Sequence, residues 1–122
     1  MFQSELLFGA GQADIASAGR EELGKLADAI LQLQAEIPAD IKWVLRIDGH
    51  TDKRPIATAQ FPSNWELSAA RAISVAKFLV ERGVPANRLV AAGFGEFQPI
   101  DPGDSEEAYR RNRRIEFKLT ES

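Results

Sequence analysis

Cysteine is absent from this chain, which removes disulfides, thiolate metal sites and a cysteine nucleophile. Histidine occurs once, so a metal site has one imidazole to draw on and a serine-type triad only one base. No apolar run approaches the roughly 18 residues of a membrane span. Residues 1–11 also have neither the basic start nor the apolar stretch of an export signal. Positive charge is not in excess: 15 Lys and Arg stand against 18 Asp and Glu, for a net charge of −3. That balance argues against nucleic acid or an anionic membrane as a bulk electrostatic partner. Repeats, low-complexity tracts and linker-like stretches are missing as well. What is there is an ordinary globular composition, 44% hydrophobic and 27% charged over 122 residues, the size of one domain spanning 1–122.

Periodicity gives the elements. Phe2, Leu6 and Phe8 share a parity and predict a first strand that ends at Gly9-Ala-Gly11. The chain thus opens inside an element, and the expectation is a domain excised from a longer protein. Leu23, Leu26, Ala27, Ile30, Leu33 and Ile37 recur at helical spacing, predicting a helix over 17–37 stopped by Pro38. Trp43–Asp48 alternates as a second strand, running into Gly49-His-Thr-Asp52 and a proline-containing loop. Ser63 and Glu66 form a capping box in which each side chain is expected to satisfy a backbone N–H, opening a helix that runs to about Arg82 before Gly83 and Pro85. On that helix Ala69, Ala72, Ile73, Ala76, Leu79 and Val80 are expected to face the sheet. Leu67, Arg71, Ser74 and Phe78 lie roughly opposite, with Phe78 exposed enough to serve a second copy. Leu89–Gly93 is a third strand, 105–111 a short helix, and Arg114–Leu119 a last strand with Ile115, Phe117 and Leu119 on one face. One apolar and one wet face imply helices on a single side. The fold class is therefore α+β, a two-layer sandwich in which a mixed sheet of about four strands carries two long helices on one face, in the order β-α-β-α-β-(α)-β.

Few residues carry chemistry. Arg46-Ile-Asp-Gly-His-Thr-Asp52 stands at the carboxyl end of the second strand, where ligand sites of open α/β sheets gather. Asp48, His50 and Asp52 together suggest a metal-assisted hydrolase. The plainer alternative has Asp48 and His50 hydrogen-bonding nearby loop backbone, with no metal and no cofactor. Ser63, Ser68 and Ser74 have no nucleophile elbow around them. Gly93-Phe-Gly-Glu96 lacks the lysine and following helix of a phosphate loop and reads as a tight turn. Arg110, Arg111, Arg113 and Arg114 read as a solvated face with internal ion pairs, and Arg113, sharing the parity of Ile115, is placed to pair with an acid at the sheet end. Trp43 and Trp65 read as core or rim packing.

Four motifs then occur in order: Gly49-His-Thr-Asp52, Asn64-x-x-Leu67-Ser-x-x-Arg71-Ala72, Gly93-Phe-Gly-Glu96 and Asn112-Arg-Arg-Ile-Glu116. The series resembles the OmpA-like peptidoglycan-binding domain of outer-membrane protein A, the Pal lipoprotein and the stator protein MotB, and Phe61-Pro-Ser-Asn-Trp-Glu-Leu-Ser68 is most similar to the MotB-like branch. The resemblance implies a binding module, not an enzyme, that holds the diaminopimelate of the peptidoglycan stem without covalent chemistry. It implies Asp52 and Arg71 as the gripping pair, within a ligand-binding set completed by Thr51, Asn64, Leu67 and Arg113. An acceptor-only carboxylate suits the ligand's ammonium and a forked guanidinium its carboxylate. The resemblance also implies an upstream membrane anchor, a periplasmic location at the inner membrane of a Gram-negative bacterium, and a homodimer. One departure stands out: the first loop reads Ala10-Gly11-Gln12-Ala13 where family members place an aromatic–acid pair. That departure favours a second reading, a protein–protein scaffold of the same fold that has lost its ligand.

Overall fold

The computed structural model describes residues 1–121. The elements are β1 (Phe2–Gln3), α1 (Ser4–Leu7), α2 (Ser17–Glu36), β2 (Trp43–His50), α3 (Asn64–Glu81), a 3-10 turn (Ala86–Arg88), β3 (Leu89–Gly95), α4 (Glu106–Asn112) and β4 (Arg114–Glu121). The strands form one mixed sheet in the order β1-β4-β2-β3, with β2 and β3 parallel and the other pairings antiparallel. Helices α2 and α3 lie on one face, as the periodicity predicts.

The first strand is much shorter than expected. Leu7 and Phe8 are neighbours and both are buried, at 0% and 3% exposure, which a one-sided strand does not allow because successive side chains alternate. The ladder ends where the Ser4 amide donates to the Arg113 carbonyl at 2.9 Å. A single helical turn then carries Leu7 and Phe8 into the core together and leaves Leu6 exposed.

Helix α3 starts as its capping sequence predicts, with one difference. The Ser63 hydroxyl accepts from the Trp65 amide, but Glu66 accepts a hydrogen bond from the Ser63 hydroxyl and does not reach back to a backbone N–H. Its buried face also differs from the expected stripe. Leu67, Arg71, Ala72, Val75, Phe78 and Leu79 are buried, whereas Ile73 and Val80 are 46% and 43% exposed. Helix α3 meets α2 as well as the sheet, so its bulkiest side chains turn into the junction of the three. Phe78 lies there with the Arg20 guanidinium 4.9 Å above its ring, and it offers no surface to a second copy.

Two paired glycines set how closely α3 approaches the sheet. Gly49 of β2 and Gly93 of β3 are register partners beneath the helix. A Cβ on Gly93 would sit 2.6 Å from the Ala69 nitrogen, and one on Gly49 would collide with the Ser68 carbonyl oxygen. The Ser68 hydroxyl uses this proximity to accept the Gly95 amide at 2.9 Å. Gly93→Ala should therefore destabilise the domain by about 1–3 kcal/mol through overpacking. A urea-denaturation midpoint unchanged from wild type would show that helix and sheet have slack here.

Candidate functional site

Where β2 ends and α3 begins, the fold leaves an open cleft of about 430 Å³. All six residues expected at a ligand site line it: Thr51, Asp52, Asn64, Leu67, Arg71 and Arg113. They arrive by three routes. Thr51 and Asp52 follow β2 directly, with the Thr51 amide held by the Gly95 carbonyl at 2.9 Å. Asn64, Leu67 and Arg71 come from the first two turns of α3, one turn apart on its buried face. Arg113 stands between α4 and β4.

Arg71 is 5% exposed, yet no carboxylate lies within ion-pair reach of it among the described residues. Its Nε donates to the Gln12 carbonyl at 2.8 Å and its Nη2 to the Gly9 carbonyl at 3.3 Å. The guanidinium lies 4.9 Å from the Phe8 ring centroid. Burial, followed by the charge of Arg113, lowers its pKa to about 10, against partial support from Glu5 and Asp52. A cation so placed is under-compensated, because carbonyl dipoles replace only part of its lost hydration. The first loop, although it lacks the aromatic–acid pair, thus supplies the backbone that orients the arginine.

Asp52 is the opposite case. Arg54 donates to Oδ1 from its backbone at 2.9 Å and to Oδ2 from Nη2 at 2.8 Å, and Arg113 Nη1 reaches Oδ2 at 2.6 Å. Burial by itself would raise the Asp52 pKa, but the hydrogen bonds from Arg54 and Arg113 outweigh it and hold the group below the ordinary carboxylate range. Arg113 pairs with an acid at the sheet end, as its parity suggests, and binds three: Asp52, Glu5 and Glu106. Its pKa is raised accordingly, the three carboxylates overcoming the effect of burial. Asn64 Nδ2 donates to the Arg54 carbonyl at 3.0 Å and closes the turn after Asp52.

Sequence reasoning missed Arg54, Glu5, Glu106 and Tyr109. Arg54 Nη1 donates to Glu106 at 3.1 Å, and its guanidinium lies 4.6 Å from the Tyr109 ring centroid. Glu106 and Tyr109 fall one turn apart on α4, a spacing that could have marked them as one surface. Nothing in the sequence marks Arg54. Asn112 was also given no role, yet its side chain accepts the amides of Ile100 and Asp101 and donates to the Asp101 carbonyl, pinning the loop before α4.

The other chemical candidates resolve into packing. Asp48 and His50 do not hydrogen-bond the loop backbone as expected. Asp48 is fully buried against Arg46, 2.8 Å away, on the sheet face that the helices leave free. His50 stacks on Phe94 at 5.0 Å, with Nε2 3.9 Å from Glu116 and no hydrogen-bond partner for Nδ1 among the described residues. The register of β2 against β4 turns both side chains away from the cleft that Asp52 enters, and no group of three His, Asp or Glu residues that could hold a metal ion occurs among the described residues. The arginine cluster is not a uniformly solvated face either. Arg114 is buried, paired with Glu116 and donating to the carbonyls of Asn112 and Gln98. Trp43 is core, and Trp65 packs against Phe97 at the rim with the two rings tilted by 40°.

The OmpA family model matches residues 7–113. The chain is 35% identical to the Bacillus subtilis protein YtxE over all of this chain and 48% of that protein, so it spans about half the length of that curated relative. Among solved structures, a MotB like protein from Desulfovibrio vulgaris superposes with a TM-score of 0.86 at 34% identity, covering 98% of this chain and 70% of that one. The cell wall anchor of the T6SS from Pseudomonas aeruginosa superposes with a TM-score of 0.83 at 33% identity, covering 98% and 78%.

Burial, and then the nearby Arg114, lowers the pKa of His50 in the folded state. As pH falls, the unfolded chain therefore takes up the proton first, so the contribution of His50 is complete above about pH 6.5 and declines below it. Urea midpoints should drop between about pH 7.5 and about pH 5, before most carboxylates titrate. His50→Gln should flatten that slope, and an equal slope in both proteins would count against a buried neutral imidazole.

Proposed function

The chain belongs to the OmpA family, in its MotB-like branch, and from that premise we propose that its cleft holds the diaminopimelate of the peptidoglycan stem peptide. Attachment to the cell wall is the coarse function of such a domain, which is a binding module and no catalyst. The finer reading rests on one observation: a buried guanidinium that has no carboxylate partner among the described residues and lines the same cleft as the Asp52 carboxylate. The free end of diaminopimelate carries an ammonium and a carboxylate on one carbon. Its carboxylate would complete the hydrogen bonds of Arg71, and its ammonium would meet Asp52. Leu67 and Phe8 supply the apolar wall for the methylene chain, and Thr51, Asn64 and Arg113 hold Asp52 in place. Charge-assisted hydrogen bonds contribute roughly 1.5–3 kcal/mol each, enough for a few to retain a small ligand in an open cleft.

On this reading the domain works in the periplasm, between the wall and an inner membrane to which an upstream anchor ties it, as in the MotB-like branch. Diaminopimelate supplies the specificity, and a homodimer would use the exposed Ile73 and Val80 and the uncharged edge strand β3, since Phe78 is buried. The scaffold reading leaves the unpartnered charge of Arg71 without a purpose.

Asp52→Ala and Arg71→Ala should each abolish sedimentation with purified sacculi while the thermal transition stays close to wild type. Retained binding by either folded variant would remove that residue from the grip. Walls in which lysine replaces diaminopimelate lack the distal carboxylate and leave Arg71 unpaired, so binding to them should be weaker by about 1–3 kcal/mol. Equal retention on both walls would refute the zwitterion geometry.

A further inference from the structure

Each carboxylate oxygen offers about two lone-pair positions, and at Asp52 they are filled unevenly. Oδ1 accepts one donor, the Arg54 backbone N–H at 2.9 Å, whereas Oδ2 accepts three: Arg54 Nε at 3.2 Å, Arg54 Nη2 at 2.8 Å and Arg113 Nη1 at 2.6 Å. An incoming ammonium that takes Oδ2 must displace a resident guanidinium. The two residents are not equally held. The Arg113 side chain is 19% exposed and bonded to three carboxylates, whereas that of Arg54 is 49% exposed. Arg54 also has somewhere to remain, with Glu106 3.1 Å from Nη1 and the face of Tyr109 beneath it.

We propose that Arg54 is a specificity-determining residue, a stand-in for the ligand's cation that makes the cleft select zwitterions over simple amines. This rests on the diaminopimelate reading above and deepens it. When a ligand ammonium takes Asp52, the side chain of Arg54 is released while still lining the cleft, with its charge intact. A ligand that brings a carboxylate beside its ammonium gives the displaced guanidinium a new partner, and the exchange is close to neutral. A ligand with an ammonium alone evicts Arg54 and offers nothing in return. Arg71 rewards the carboxylate, and Arg54 penalises its absence, so discrimination arises from both a gain and a loss.

The test uses Arg54→Met, which keeps an unbranched stem and removes the charge, with two tripeptide probes. Both carry the stem sequence, one ending in diaminopimelate and the other in lysine, and both are titrated calorimetrically against the full chain. The lysine peptide should bind Arg54→Met about tenfold more tightly than wild type, the scale of one charge-assisted hydrogen bond. Binding of the diaminopimelate peptide should change by less than about threefold, so the preference between peptides narrows to the share that Arg71 contributes. Arg54→Lys, which restores a cation, should recover much of the preference. Equal weakening of both peptides would mean that Arg54 only positions Asp52, and no change in either would mean that it takes no part; each result overturns the proposal. If wild type binds the diaminopimelate peptide but the preference is undiminished in Arg54→Met, this proposal alone fails. If wild type binds neither peptide, the diaminopimelate reading fails and takes this one with it.

Discussion

The seating of α3 on Gly49 and Gly93 governs most of the molecule. With no side chain on either strand at that crossing, Ser68 and Ala69 rest on sheet backbone, and Ser68 can bond to the Gly95 amide. That contact sets the height and rotation of the helix. One turn on either side of Ser68 lie Asn64 and Arg71, and the same rotation that buries Val75 and Leu79 sends them to the rim where β2 ends. A helix standing a methyl group higher would carry Arg71 away from the carbonyls of Gly9 and Gln12.

The two charges that the helix and strand bring to the cleft are prepared in contrasting ways. Asp52 is well supplied with donors and its pKa lies below the ordinary carboxylate range, while Arg71 is short of acceptors and its charge is costly to keep. The cleft thus has one pole crowded with donors, at Asp52 Oδ2, and one short of acceptors, at Arg71. Glu5, Glu106, Arg54 and Arg113 link α1, α4 and the loop after β2 into this network. The short helices, which add little to the core, thereby become part of the site wall.

Much of this was legible in the sequence, for reasons that differ by element. Helix α2 and strands β2 and β4 follow from long, regular periodicity, and the motif around Asp52 and Arg71 pointed to residues that the structure gathers in one cleft. The pairing of Arg113 followed from parity alone. Two overlapping apolar stripes on α3 left its orientation ambiguous. The outcome was decided by Gly49 and Gly93, which lie about 15 to 30 residues away in sequence and act only through the packed sheet. The first segment misled because seven residues of alternation suit a strand, while burial of the adjacent Leu7 and Phe8 requires a turn. Arg54 was invisible because its role depends on the path of an aperiodic loop.

The sheltered position of Arg71 has a consequence for how the cleft responds to dissolved salt. Mobile ions weaken attraction between exposed charges over a Debye length of about 8 Å at physiological ionic strength, but they screen a buried charge such as Arg71 much less. Arg54 and Glu106, half in water, feel that atmosphere fully. Rising ionic strength therefore loosens the resident contacts around Asp52 while leaving the attraction of Arg71 for a carboxylate almost intact.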